Sequence, residues 1–563
     1  MPPDSNVGFA PSDWALVLIT GLLLLSGFAW RTGLRRAFER LAQMRRTCVV
    51  LLFLLPILMR LLLLPYHPIP TPDIYDEFSQ LLVADTLLHG RLANPPHPMH
   101  RFFETFFVLQ QPTYSSMYPI GQGLVLAVGR LISGIPWTGV LMATGAFCAG
   151  CYWMLRGWVA PSWALLGGML AVMEFGPLCQ WSNSYWGGGS LAAAAGCAVF
   201  GALPRIRRYG RPRDGFLLGM GFGVHMLTRQ FESVFLLMSV ALFFAPALLH
   251  REKWAGVLRM CGYASLAVMP VVLVILLQNR AVTHSLTMLP ERLHQYQYGT
   301  PISLTFENIP IPHVPLTAQQ ETDYKAESLQ HGPGMDSLER FLLRLEYRVR
   351  YYRFFFLPPL YLALFAFFFT LRDGQMGWWV AGALGIFGLG TNLFPYLLLH
   401  YLAAVTCLFV LVSVVGLRQF SRIRIRHAAI GEEVALVLIV LCAAEFVGWY
   451  GMHLFESPSL YPILRYETWD SINHENPQRR IEVKRRLAAI DGRLLVFVRY
   501  SPHHIYQDEW VWNSADIDGS RVVYARDLGP EEDEKLIRYY PERKVLLLEP
   551  DGAIPQLEPY SVN

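Results

Sequence analysis

Charge is scarce in this chain. Only 16% of its 563 residues are Asp, Glu, Lys or Arg, where a soluble protein carries about a quarter. That deficit excludes an ordinary soluble globule, and it coincides with repeated apolar runs of bilayer-spanning length, roughly 17–25 residues each. The net charge of +4 is small and its cations are clustered, so the total says little about partners; no nucleic-acid partner is assigned. The eight cysteines all fall in or beside apolar runs, which leaves no disulfide framework in the polar loops. Cys148 and Cys151 form a C-x-x-C pair inside an apolar helix, where packing is the reading we adopt. No His/Cys/Asp cluster with metal-ligand spacing is present, so no metal or other cofactor is assigned. Repeats and low-complexity tracts are missing too. The start, "MPPDSNVGFAPSDW", lacks the positive region of a secretory signal; the first apolar run, 14–30, is expected to be a retained helix.

What is present is a polytopic α-helical membrane protein. Short basic connectors mark the cytoplasmic side: "RTGLRRAFERLAQMRR" (31–46), "RIRRYGRPR" (205–213), "HREKWAGVLR" (250–259) and "RQFSRIRIRH" (418–427). If 31–46 is inside, run 48–65 exits and the loop after it faces outside. Four crossings between there and 205–213 would contradict the basic connector. The segment 119–133, "PIGQGLVLAVGRLIS", is short, begins with Pro and contains Arg130; it is therefore expected to lie on the outer face as an interfacial helix. About twelve transmembrane helices remain, with the N-terminus outside. Residues 1–47 form an extra helix plus connector, 48–450 the membrane domain with outer loops 66–136 and 279–352, and 451–563 a small periplasmic α/β domain. In that tail, strand-like "RLLVFVRY", "SRVVYARD" and "KVLLLEPDG" alternate with helical patterns. Polar sequence thus collects on the outer face, where function is expected.

The candidates follow from that placement. Asp76 and Glu77 are adjacent acids at a helix start, in "TPDIYDEFSQ". Neighbours on a helix point about 100° apart, so one can face a cavity while the other caps or pairs. A positioned carboxylate is a usable general base; the structural alternative is an N-cap with solvated charges. Glu104, with His97, His100 and Arg101 nearby, belongs either to a polar cavity or to an ordinary loop. Arg229 and Glu232 share a short outer turn, as a phosphate-binding guanidinium or as an i,i+3 ion pair. Arg340, Arg344 and Arg348 fall on one face of an amphipathic helix, to meet lipid phosphates or solvent. In "CQWSNSYWGGGS" (179–190), Trp181, Tyr185 and Trp186 fit an interfacial aromatic belt, while Asn183 and Tyr185 are candidates for hydroxyl recognition. Glu174 and Arg60 are ionisable groups within apolar runs, which are expensive there.

The ordered set resembles the GT-C membrane glycosyltransferases, nearest to protein mannosyltransferases and aminoarabinose lipid A transferases. The residues that carry it are "YDEFSQLLVADTLLHGRLANPPHP", "YPIGQGLVLAVGRLISG", "LTRQFESVFLL" and "FPYLLLHYLAAVTCLFVL". The resemblance covers about 48–450 and extends to the tail. It implies a polyprenyl-phosphate sugar donor, a hydroxyl acceptor and an outward-facing cavity on the inner membrane of a bacterium. By the same resemblance Asp76 is the base candidate, Glu77 and Glu104 are cavity carboxylates, Arg229 is a donor-phosphate ligand, and His400 and Tyr401 line the donor side. Relatives often carry a Lys where this chain has Met117 in "SSMYP", so the phosphate role passes to an arginine. Two other classes stay open: a transporter or flippase of lipid-linked substrates, and a non-catalytic envelope assembly subunit that presents the tail. Paired broken helices in repeated halves would mark the transporter. Tolerance of the outer acids to neutralisation would mark the assembly subunit.

Overall fold

The computed structural model describes residues 11–28, 31–301, 304–331, 335–372, 374–424, 428–455, 472 and 477–560. Expected features in 1–10 and 456–471, and part of the 418–427 connector, lie outside them. Helices predominate, as an apolar surround demands, since a helix satisfies its own backbone. Their outward faces are apolar: Leu258, Leu266, Met269, Leu273 and Leu277 of the Trp254–Thr283 helix are all exposed, as are Leu54, Leu58 and Leu62 of Arg45–Leu62. Such a surface is costly in water and natural in lipid. Small residues let helices touch closely. A Cβ on Gly196 would come within 1.9 Å of the Ala404 carbonyl, and one on Gly416 within 2.0 Å of that of Ala363.

Among the described residues, four helices are long and apolar enough to cross a membrane: Trp137–Leu155, Gly189–Tyr209, Arg251–Thr283 and Leu399–Phe420. A fifth arises if the pair Leu338–Phe355 and Pro358–Leu371, bent by 110°, counts as one span. The other expected spans form helices that are shorter, interrupted or more charged. The 160–178 run ends as a helix at Phe175, before Gly176 and Pro177. The 353–371 run is cut into short turns around Pro358. Runs 214–228 and 231–249 give helices of 17 residues, about 25 Å long at 1.5 Å per residue.

Several charges turn inward rather than outward. Arg344 donates to the Asn392 carbonyl at 3.0 Å and pairs with Asp336, and Arg348 donates to the Thr391 and Phe394 carbonyls at 2.5 and 2.7 Å. These two arginines close the C-terminal end of the Gln375–Thr391 helix, where cations complement its dipole, and so are not free for lipid phosphates. Arg60, fully buried at the end of its helix, donates to Asn183 Oδ1 (2.6 Å) and to the His67 and Pro68 carbonyls. Trp181 and Tyr185 are also buried, Trp181 stacked on Phe175 at 5.6 Å; neither belongs to an exposed aromatic belt.

The 66–136 segment carries the site helix, Tyr75–Leu88, and a two-residue hairpin, β1 (Val108–Leu109) with β2 (Ser115–Ser116). The Ile120–Ser133 helix lies against the site helix, with Arg130 bonded to Asp85 at 2.7 Å. After residue 477, four strands form one sheet: β3 (Leu494–Val498), β4 (Val522–Arg526), β5 (Lys544–Glu549) and β6 (Gln556–Pro559), in the order β4-β3-β5-β6. β3 runs parallel to β4 and β5, and β6 is antiparallel to β5. All five residues of β3 are buried because the sheet is covered on both faces. Val483 and Leu487 of the Pro477–Ala488 helix pack on Leu494, Val496 and Val498. On the other face Leu495 and Phe497 join a cluster with Leu82, Phe102, Phe103 and Tyr114 of the 66–136 segment. The sheet and the site-bearing loop therefore share one core.

Candidate active site

The Tyr75–Leu88 helix begins at Ile74, whose extended backbone turns the chain into the first helical turn. The free amides of a helix start favour acids there. Glu77 Oε2 reaches back to the Asp73 amide at 2.9 Å, and its Oε1 accepts from the Tyr185 amide at 2.8 Å. Both oxygens are thus spent on backbone, and the side chain is only 6% exposed. Asp76, one position earlier, is half-buried and opens on a cavity. Its Oδ1 accepts the Tyr118 hydroxyl.

That cavity measures about 490 Å³. Asp76, Tyr118, Tyr75, Glu327, Arg229, Glu232, Glu291, His400, Tyr401 and Trp186 are all on its lining. Burial pushes Asp76 up to about 7. The Tyr118 hydrogen bond pulls it down, while the nearby charges of Glu327 and Glu77 push it further up. Burial likewise raises Glu77 to about 7 against its two backbone donors, and raises Glu291 and Glu327. A carboxylate that titrates near neutrality, with one oxygen held by a phenol, is equipped to take a proton at physiological pH.

The cation among these residues, Arg229, is paired. Arg229 Nε donates to Glu232 Oε1 at 2.9 Å, its Nη2 bonds the same oxygen, and its guanidinium lies 4.6 Å from the Tyr401 ring centre. Burial opposes the Arg229 charge, but Glu232 and Tyr401 hold it above the ordinary arginine value. The ion pair and the cavity position are both realised here. His400 sits edge-on to Trp186 at 5.0 Å, and Gly187, at φ +73°, makes room for it. A Cβ at Gly187 would lie 2.5 Å from His400 Nδ1.

Asn183 also lines the cavity, yet its amide is committed: Oδ1 to Arg60, Nδ2 to the Pro177 and Cys179 carbonyls. Four sequence candidates lie away from the lining. Tyr185 is buried, its amide on Glu77 and its hydroxyl donating to the Pro70 carbonyl at 2.8 Å. Glu104 is buried 3.3 Å from Gln320 Nε2, with His100 beside it and Arg526 on its carbonyl. His97 meets Asp518 (3.0 Å) and Tyr540 (3.2 Å) at the seam with the sheet domain. Arg101 donates to the Pro315 carbonyl at 2.7 Å. Of these, Glu104 and His97 join the 66–136 loop to the tail, through Arg526 and through Asp518 and Tyr540.

Sequence reasoning missed Glu291, Glu327, Tyr118, Tyr396 and the tail residues Arg480 and Gln507, all on the lining. Tyr118 stands in the "SSMYP" segment, whose position before the Pro119 helix start was visible. Arg480 is one of five cations within Pro477–Ala488, and nothing local distinguishes it. Among the described residues no group of three or more His, Cys, Asp or Glu is placed to hold a metal.

Compared with protein-family models the chain matches none, and no curated protein matches it. Among solved structures it is similar to ArnT from Cupriavidus metallidurans in the apo state, at 11% identity over 89% of this chain and 92% of that one, with a TM-score of 0.49. The same ArnT bound to undecaprenyl phosphate gives 11% identity, the same coverage and a TM-score of 0.48. The apo oligosaccharyltransferase of Archaeoglobus fulgidus gives 12% identity over 81% of this chain and 62% of that one, with a TM-score of 0.36.

Proposed function

We propose that this protein is an inverting glycosyltransferase. It moves a hexosyl or pentosyl group from a polyprenyl-phosphate donor to a hydroxyl of a lipid, glycan or protein on the outer face of a bacterial inner membrane. The observation that carries the reading is Asp76: a carboxylate whose titration burial raises to about 7, opening on a cavity whose lining also includes Arg229. In the proposed step Asp76 accepts the acceptor's O–H proton, and that oxygen forms a bond to the sugar's anomeric carbon. The bond from that carbon to the phosphate oxygen breaks on the opposite face. The electron pair leaves with the lipid phosphate, whose charge Arg229 meets. His400, Tyr401 and Trp186 supply rings beside the donor; Glu77 fixes the helix start rather than reacting. The sequence resemblance to GT-C transferases supports the donor class, and the apolar outer surface supports a membrane site.

The test is transfer of labelled sugar from a polyprenyl-phosphate donor in membrane extract by the purified protein. Asp76→Asn should lose about 10²–10⁴-fold in rate while its melting temperature holds. Transfer indifferent to Asp76 and Arg229 would reject the site. Movement of lipid between leaflets without any transfer would reject the enzyme.

A further inference from the structure

The start of the site helix is bonded to the sheet domain, and Arg480 makes several of the bonds. Arg480 is buried, although arginine rarely is. Its Nε donates to Asp73 Oδ1 at 2.7 Å, and its Nη2 to the Asp73 carbonyl at 2.9 Å. Within its own domain Nη2 also reaches Asp508 Oδ1 (2.5 Å) and the Glu509 carbonyl (2.8 Å). The guanidinium lies 4.2 Å from the Trp510 ring centre and 5.2 Å from that of Phe78 on the site helix. The two backbones meet alongside: Ile74 bridges Asp508, and the Glu509 amide donates to the Asp73 carbonyl at 3.1 Å. Asp73 then donates its own amide to Glu77. An unbroken series of bonds thus runs from Arg480 through Asp73 to Glu77, with Asp76 between the last two.

We propose that Arg480 is a positioning residue: it fixes the Asp73–Glu77 turn so that Asp76, and not its neighbour, is presented to the cavity. The inference rests on the reading of Asp76 as the base. Arg480 is suited to the role because its planar fork presents donors on separate nitrogens to the Asp73 carboxylate and carbonyl, a fixed geometry that lysine's single ammonium lacks. The carboxylates of Asp73 and Asp508 face it from the two sides, so its charge is neutralised where it lies and is not on offer to a phosphate. The membrane part alone would then hold the base on a loosened turn; the sheet domain completes the site.

Two measurements on the full-length protein test this. Amide hydrogen exchange reads the turn without substrate: Arg480→Gln should speed exchange across 73–78 by roughly tenfold, and Arg485→Gln, an exposed pair with Glu482, should not. Transfer assays then read the consequence. Arg480→Gln should lose about tenfold to a hundredfold in kcat, Arg480→Lys should not restore it, and in an Asp76→Asn background Arg480→Gln should cost nothing further. Unchanged exchange at 73–78 overturns the proposal whatever the activity, and so does an additive loss in the double variant. Faster exchange with no transfer by the wild-type protein would leave the anchor standing and reject the glycosyltransferase instead. Should Arg480→Gln fail to fold, Asp73→Asn, which weakens the same bond from the other side, carries the same two readouts.

Discussion

Tyr118→Phe removes a hydroxyl bonded to Asp76 and keeps the ring, so its effect can be worked out in advance. Burial raises Asp76 to about 7, and the Tyr118 bond opposes that rise. A hydrogen bond to a charged group is worth about 1.5–3 kcal/mol. Because Asp76 opens on a cavity, water replaces part of the lost bond and the lower end applies, close to one pK unit. The carboxyl of the variant should then titrate near pH 8. At pH 7 the ionised fraction falls from about a half to about a tenth, so transfer should drop roughly fivefold. At pH 9 the two proteins should differ by no more than about a tenth. The assay is kcat/KM for sugar transfer measured from pH 5.5 to 9.5. The rising limb should sit near pH 7 in the wild type and about one unit higher in the variant. A loss of the same size at every pH would show that Tyr118 acts on the substrate. An unmoved limb would show that Asp76 is not the base.

Glu77 should reveal itself in stability. Its folded value near 7 stands above its ordinary 4.5, so the folded state binds the proton more tightly than the unfolded chain. That contribution is whole below about pH 4.5 and lost as pH rises through 7, roughly 3 kcal/mol in all. The melting temperature should fall between pH 5 and 8, and Glu77→Gln should flatten that slope; an unaltered slope rejects the assignment. Arg229→Lys keeps the charge but not the planar donors, and should raise the donor KM about tenfold with acceptor KM unchanged. Equal effects on both would place Arg229 outside the donor site. Calorimetry of donor binding in buffers of different ionisation enthalpy, run across pH 5 to 8, should show net proton uptake within that range, and none at any pH would reject an acid-rich donor pocket.

Much of the site could be read from the chain because it depends on local rules. Two adjacent acids at a helix start diverge by geometry, and the structure commits Glu77 to backbone while Asp76 opens on space. Arg229 and Glu232 sit three apart on one turn, and they pair. What the sequence could not convey is what depends on tertiary partners. Glu104 and His97 look like site residues beside the DE pair, but the sheet of the tail closes over them. Arg348 has amphipathic spacing suited to a lipid surface, yet the frayed carbonyls at Thr391 and Phe394 claim it. Glu327 and Arg480 belong to segments that meet the cavity only after the loops fold. Two of the expected spans are interrupted because hydropathy registers an apolar run without regard to the Gly–Pro and Pro–Pro steps at 176–177 and 358–359.

The cavity poses an electrostatic problem for an anionic donor. Asp73, Asp76, Glu77, Glu232, Glu291 and Glu327 line it against Arg229 and Arg480, and each arginine already faces a carboxylate. Fully ionised, such a lining would repel a phosphate. Burial changes the balance, because it lifts Asp76 and Glu77 to about 7 and raises Glu291 and Glu327 as well. Near neutrality Asp76 and Glu77 are therefore partly protonated, and the standing negative charge is smaller than the residue count implies. The positive charge of Arg229 holds Glu291 down against its burial. A phosphate that engages Arg229 screens that charge, so Glu291 should rise further and take up a proton as the donor binds. Donor binding is then favoured by protonated acids and catalysis by an ionised Asp76. The two requirements are met together only around neutral pH, where the carboxyls of one cavity are divided between the two states.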